Sequence, residues 1–149
     1  MKMKKFLTLG LAAIMAVSMV GCVNQHPEEA NGTAASSDDV RIVATSPATA
    51  DICDRLELDL VGVCSSTLST IPERYKDVTQ IGTAMSPDLE ILKSLKPDYV
   101  LSPSSLQSDL QPKYESIGVN SIFLNLKSVE GMYASISDLG QKFDREEQA

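Results

Sequence analysis

The chain of 149 residues is poor in the side chains that most enzymes use for catalysis. It contains three cysteines and a single histidine, His26, which lies in a polar stretch near the amino terminus. The part of the chain that can form a core therefore offers no histidine to activate a serine or a cysteine. The phosphate-binding pattern G-x-x-x-x-G-K-[ST], the dinucleotide pattern G-x-G-x-x-G and zinc-type clusters of cysteine and histidine are also missing. These absences argue against an enzyme.

Positive charge is scarce as well. Thirteen Lys and Arg face twenty Asp and Glu, which gives a formal net charge of −7. Three of the lysines lie within the first five residues, and no other cluster of basic residues follows. An acidic protein without a basic patch repels phosphate backbones, so we expect no nucleic-acid partner.

The amino-terminal residues have the pattern of an export signal. Residues 1–5 are basic and residues 6–20 are apolar and uncharged, a run too short for a spanning helix of about 20 residues. Gly21 and Cys22 follow. The order resembles a bacterial lipoprotein signal, which predicts a signal peptide over 1–21, cleavage before Cys22 and a lipid on its thiol. An ordinary signal peptide followed by a chance cysteine is the alternative.

Residues 22–39 are polar and hold almost no large apolar side chain. Such a segment cannot bury enough surface to offset the entropy of ordering it, so we interpret it as a flexible tether. His26 lies here, and we expect it to be solvated.

From residue 40 onward, short apolar runs alternate with helical patterns, which predicts an α/β fold: a parallel sheet with helices on both faces. We assign residues 40–149 to one lobe of this kind. Four strands are predicted at Val40–Ala44, Leu60–Cys64, Tyr99–Leu101 and Val119–Leu124, and Val78–Ile81 is a candidate for a further short strand. On the first helix, Asp51, Asp54 and Glu57 are expected to form a solvated acidic face with Asp59. Whether Cys53 and Cys64 pair cannot be decided from their spacing.

Three helix ends have recognisable signals. Ser86 followed by Pro87 predicts the start of a helix whose apolar face includes Leu92. Gly118 is expected to end a helix over residues 106–117. Ser128 is expected to cap the last helix, whose apolar stripe predicts one buried face; its members are Val129, Met132, Tyr133, Ile136, Leu139 and Phe143.

Uncharged loops rich in serine and threonine follow the predicted strands. In open α/β sheets, ligands bind at the carboxyl ends of the strands, and backbone N–H groups at helix starts bind acidic ligand groups. These loops therefore form a candidate ligand site, although the same residue types are also ordinary turn and cap residues. The candidate pocket residues are Thr45, Ser46, Pro47, Ser65, Ser66, Thr67 and Ser86.

Several segments together resemble a known family. They are Arg41-Ile-Val-Ala-Thr45, Leu60-Val-Gly62, Pro72-Glu-Arg-Tyr-Lys-Asp77, Ile81-Gly-Thr-Ala-Met-Ser-Pro-Asp-Leu-Glu90 and Leu95-Lys-Pro97. In this order the segments resemble the haem-binding lipoproteins of the iron-regulated surface determinant system of Gram-positive bacteria. These are substrate-binding proteins of ABC importers for iron complexes and cobalamin, and the resemblance covers about residues 41–143.

The resemblance implies roles for individual residues. Met85 corresponds to the methionine that binds haem iron as an axial ligand, and its thioether is a recognised ligand of haem iron. Residues 46–47 and 65–67 correspond to loops near the haem propionates. Glu90 corresponds to the acidic residue that docks onto arginines of the ABC permease. The family has two lobes, and its second axial ligand is a histidine of the second lobe.

From this resemblance we expect an N-terminal lobe alone, with the second lobe absent from the sequence. The expected function is capture of haem and its delivery to an ABC permease, at the extracellular face of the membrane of a Gram-positive bacterium. With Met85 as the one available axial ligand, we expect weak haem binding. The alternatives are a siderophore- or cobalamin-binding protein of the same class, and a surface lipoprotein that serves only as an interaction module.

Overall fold

The structure is a computed structural model that describes residues 39–149. In chain order its elements are β1 (Ile42–Ala44), α1 (Pro47–Arg55), β2 (Leu60–Val63), β3 (Gly82–Thr83), β4 (Ser86–Pro87), α2 (Leu89–Leu95), β5 (Tyr99–Pro103), α3 (Gln107–Ser116), β6 (Ser121–Leu124) and α4 (Val129–Lys142). Two 3-10 turns, Glu73–Tyr75 and Ser104–Leu106, lie before β3 and α3. The predicted signal peptide, the lipidated Cys22 and all but the last residue of the predicted tether lie outside the described residues.

A sheet of four parallel strands in the order β2-β1-β5-β6 forms the centre of the fold. Side chains alternate across this sheet, as the pleat of a strand requires. In β1, Ile42 and Ala44 pack on one side with α1 and α4, whereas Val43 packs on the other side with α2 and α3. The predicted α/β class, with helices on both faces of a parallel sheet, is confirmed.

Two of the three predicted helix ends are confirmed. The Ser128 hydroxyl accepts a hydrogen bond from the Gly131 N–H at 3.0 Å and so caps α4. Gly118 has a φ of +71° just beyond α3. Its N–H donates to Glu115, and the Val119 N–H donates to Tyr114. This pair of bonds satisfies two carbonyls at the helix end.

The predicted start of α2 is wrong. Ser86 and Pro87 form the short strand β4, and the helix is capped two residues later by Asp88. The Asp88 carboxylate accepts hydrogen bonds from the N–H groups of Glu90 and Ile91, both at 3.0 Å. Aspartate is among the strongest N-cap residues, and pairing of β4 with β3 leaves Ser86 unable to cap.

The predicted buried stripe of α4 is only partly correct. Ile136, Leu139 and Phe143 are buried, but Val129 and Tyr133 are 60% and 64% exposed, and Met132 is half-buried. The exposed side chains belong to the first two turns of the helix. There, Met132 and Tyr133 line a groove toward α1, and Met132 also packs against the edge of the core.

Other expectations concern cysteines, acidic residues and membrane helices. Cys53 and Cys64 are buried free thiols, and the acidic face of the first helix is exposed as expected. Within residues 39–149, no helix is long and apolar enough to cross a membrane.

Candidate functional site

Met85 lies at the tip of a tight hairpin that follows the central sheet. Strands β3 and β4 pair antiparallel, with Thr83 opposite Ser86, so Ala84 and Met85 form the two-residue turn between them. The Met85 side chain is 74% exposed. A large apolar side chain at the tip of a turn gains nothing from the protein core, so its thioether is free to meet a ligand.

The shape of this hairpin depends on Gly82. Its φ is +91°, a conformation that residues with a Cβ rarely adopt. A Cβ built at this position would lie 2.9 Å from the backbone oxygen of Ser86, the residue next to Met85. Only glycine therefore allows the two strands to approach closely enough to present Met85 in this position.

Backbone hydrogen bonds fix the hairpin to the carboxyl edge of the sheet. Ile81 donates its N–H to the Val63 carbonyl at 3.0 Å, and Ser65 donates its N–H to the Gly82 carbonyl at 2.8 Å. At the base of the hairpin, the Asp88 N–H donates to the Ile81 carbonyl at 2.6 Å. The loop after β2 and the Met85 hairpin are thus joined into one rigid edge.

These two segments and the start of α1 enclose a groove of about 340 Å³, which we call the Met85 groove. It is lined by Pro47, Ser65, Ser66, Thr67, Leu68, Ser69, Thr83, Ala84 and Met85. Of the candidate residues, Pro47, the three residues 65–67 and Met85 lie together here. Their roles toward a ligand remain predictions.

The other three candidate residues do not line this groove. Thr45 is fully buried, and its hydroxyl pairs with the Leu101 carbonyl at 3.2 Å and with the Ser102 hydroxyl at 2.7 Å. Ser46 is buried as the N-cap of α1, in a reciprocal capping box with Thr49. Ser86 is exposed in β4. The hydroxyls of Thr45 and Ser46 thus stabilise the start of α1 and its link to β5, as turn and cap residues do.

Leu68 is a lining residue that the sequence reasoning missed. Its side chain is 95% exposed, although it is large and apolar. A signal was available in the sequence, because Leu68 is the one large apolar residue in the stretch Ser65-Ser-Thr-Leu-Ser-Thr70. The serine- and threonine-rich character of that loop directed attention to its hydroxyl groups instead.

The Met85 groove has no ionisable side chain in its wall. Polar recognition there depends on hydroxyls and backbone N–H groups, and apolar recognition depends on Pro47, Leu68, Ala84 and Met85. Among the described residues, no group of three or more His, Cys, Asp or Glu could hold a bare metal ion. The groove is therefore suited to a largely apolar ligand with a few polar groups.

The buried thiols add no reactivity near the groove. Cys64 directly precedes Ser65, and burial raises its pKa to about 11. Burial raises the pKa of Cys53 to about 12, with a further contribution from the negative charge of Asp54. Both side chains therefore remain neutral thiols at physiological pH, and neutral thiols are poor nucleophiles and poor metal ligands.

Glu90 lies in the first turn of α2, close in sequence to the Met85 hairpin. Its side chain is exposed, and its backbone N–H is bound by the Asp88 cap. The position leaves its carboxylate accessible to a partner, as the sequence predicted. Its docking role remains a prediction.

A second and larger groove lies between α1 and α4. It measures about 570 Å³ and includes Ile52, Met132 and Ile136 in its wall, with the charged Asp51 and Arg55 on its α1 side. We call it the helix groove. None of the predicted ligand residues contributes to it.

Comparison with known proteins shows the family and the extent of the match. Residues 42–149 match the model of a family described as periplasmic binding protein. The high-affinity heme uptake system protein IsdE of Staphylococcus aureus (strain Newman) is 37% identical over all 149 residues, which correspond to 49% of that relative. The chain thus spans about half the length of the curated relatives it matches.

Solved structures support the same placement. An ABC transporter substrate-binding protein from Listeria monocytogenes EGD-e matches 73% of this chain and 42% of its own, with a TM-score of 0.71 and 45% identity. S. aureus IsdE complexed with heme matches 74% of this chain and 42% of its own, with a TM-score of 0.71 and 41% identity. Proteins of this family bind substrates for transport and are not enzymes. The chain belongs to the periplasmic binding protein family.

Proposed function

We propose that this chain is the haem-binding N-terminal lobe of the substrate-binding component of an ABC importer. The observation that carries the proposal is Met85, which presents an exposed thioether over a groove of uncharged, partly apolar side chains. A thioether is a soft ligand that binds haem iron. The similarity to S. aureus IsdE, whose structure contains heme, supports this cargo.

The residues of the Met85 groove fit a haem molecule in chemical type. The apolar side chains of Leu68 and Met85 suit the face of a porphyrin, because contact between two apolar surfaces removes both from water and is favourable. The serine and threonine hydroxyls of residues 65–69 suit the carboxylates at its edge, which accept hydrogen bonds. In this assignment Met85 contacts the iron and the loop after β2 contacts the propionates.

The lack of basic side chains in the groove favours haem over the other candidate ligands. Highly anionic iron chelates are bound best by Arg or Lys, which pair with carboxylates through charge-assisted hydrogen bonds. The Met85 groove offers none. A siderophore is therefore a weaker candidate, and cobalamin has no specific observation in its favour.

We further propose how the protein is held in place and how it meets its transporter. Cys22 would carry the lipid that anchors the chain at the extracellular face of the membrane, with residues 23–39 as tether. Glu90 would pair with arginines of the permease, for which its exposed position on α2 is suitable. An interaction module without transport would require neither an exposed thioether nor a groove beside it.

Titration with haem, followed by absorbance, tests the cargo and the iron ligand together. Met85→Leu keeps an apolar side chain of similar volume and removes the sulfur, so we expect haem affinity to fall about tenfold and the main absorption band to move. Met132→Leu is the matched control, because this half-buried methionine lies in the helix groove. A Met85→Leu spectrum identical to that of the unsubstituted chain would overturn the assignment.

A further inference from the structure

The loop after β2 displays a large apolar side chain that the fold does not use. Leu68 is 95% exposed, and it belongs to neither of the two clusters of core residues. Single exposed leucines are common and need no explanation by themselves. Here, however, two of the four large apolar side chains that the described residues expose, Leu68 and Met85, line the same groove of about 340 Å³.

The backbone of this loop is held so that Leu68 stays at the groove. The Ser66 hydroxyl accepts hydrogen bonds from the N–H groups of Leu68, at 3.3 Å, and Ser69, at 3.1 Å. A serine that binds the backbone two and three residues ahead fixes a tight turn. Directly before this turn, Ser65 is bonded to Gly82 at the base of the Met85 hairpin. The two exposed side chains therefore project from segments that are connected to each other.

Burial of Leu68 by a ligand would recover free energy that the unliganded chain does not gain. The rest of its loop is polar, so no apolar neighbour from residues 65–70 covers it. An apolar side chain that passes from water into contact with a flat hydrophobic surface is stabilised in proportion to the area removed from water. This contribution requires an apolar ligand face and does not require a metal.

We propose that Leu68 is a second contact for the porphyrin ring, one that acts independently of the iron. This inference rests on the proposed haem function and assigns separate roles to two residues of the groove. Met85 recognises the iron, and Leu68 recognises the ring whether or not it holds iron.

The test compares haem with metal-free protoporphyrin IX, each titrated into the purified chain and three variants. Leu68→Ala should weaken the binding of both compounds by about fivefold, because it removes apolar contact area. Met85→Leu should weaken haem binding about tenfold but change the binding of the metal-free ring by less than about twofold. Val129→Ala removes another exposed apolar side chain, one outside the Met85 groove, and should leave both affinities unchanged.

A fourth variant separates apolar contact from loop shape. Leu68→Ile restores apolar area without restoring leucine geometry and adds no sulfur that could bind iron, so it should recover most of the affinity that Leu68→Ala loses. Affinities for both rings that do not change in Leu68→Ala would overturn the Leu68 contact and leave the haem function standing. A loss restricted to haem would also overturn it, since the contact is then not independent of iron. If the unsubstituted chain bound neither ring, both the haem function and this contact would be refuted.

Discussion

The Met85 groove and the helix groove are both concave and partly apolar, but they are built in opposite ways. Loops and a hairpin at the edge of the sheet form the Met85 groove, and Leu68 and Met85 are exposed in its wall. The helix groove is larger, at about 570 Å³ against 340 Å³, and its wall includes Ile52 and Ile136, which are buried in the core. Leu68 and Met85 in the first groove belong to neither core cluster, whereas Ile52 and Ile136 in the second groove are part of the core.

Because of this difference, we do not choose between the two grooves by volume. A gap between two helices that pack on the same sheet is not by itself a ligand site. A ligand site is better recognised by exposed apolar side chains that lie beside hydrogen-bond donors. Such side chains are not covered by the protein itself, and a ligand can bury them. By this criterion the smaller groove is the one that we propose as the ligand site.

The largest expected effect comes from truncating the core side of the helix groove. Ile136→Ala removes a buried side chain and should lower the free energy of unfolding by about 2–4 kcal/mol, measured by urea denaturation. Leu68→Ala should change it by less than about 0.5 kcal/mol, because that side chain is in water. For haem affinity the order should be reversed: Leu68→Ala should weaken binding, and Ile136→Ala should leave it unchanged. A folded Ile136→Ala protein with weakened haem binding would place the helix groove within the site.

An intermediate effect is expected at the hairpin that carries Met85. Gly82→Ala combines a positive φ with a clash against the Ser86 carbonyl, so it should cost about 2–3 kcal/mol and weaken haem binding. Gly118→Ala is the matched control, since its φ is also positive but its Cβ would meet no atom within 4 Å. That variant should cost about 1 kcal/mol and bind haem normally. Equal haem affinities for the two folded variants would contradict a rigid presentation of Met85.

The smallest effect is expected from exposed charges beside the two grooves. Glu90 and Glu130 are both the second residue of a capped helix, α2 near the Met85 groove and α4 at the helix groove. Glu90→Gln should weaken binding of the chain to detergent-solubilised permease by about threefold, as expected for an exposed ion pair. Glu130→Gln should have no such effect, and neither variant should change haem binding. Equal loss in both variants would indicate general charge rather than docking by α2.

The sequence by itself determined the class of fold, and it pointed to two exposed residues, Met85 and Glu90, for which we propose functional roles. Alternating apolar runs and helical patterns require a parallel sheet covered on both faces, because each run must bury its apolar side. Local signals were sufficient where one side chain or one φ decides the outcome, as at Ser128 and Gly118. Met85 and Glu90 are identifiable from the sequence because they lie in a segment that resembles a family.

Tertiary structure decided what depends on contacts between distant segments. Ser86 has good cap chemistry, but pairing of β4 with β3 placed it in a strand and left Asp88 to cap α2. Tyr133 fits the apolar stripe of its helix, yet it lines the helix groove and is 64% exposed. Thr45 and Leu68 both follow sheet strands, and only the packing around each one made Thr45 a buried structural residue and left Leu68 in the groove wall. Periodicity predicts which side of a helix or strand is apolar. Whether other segments cover that side depends on the packing of the whole fold.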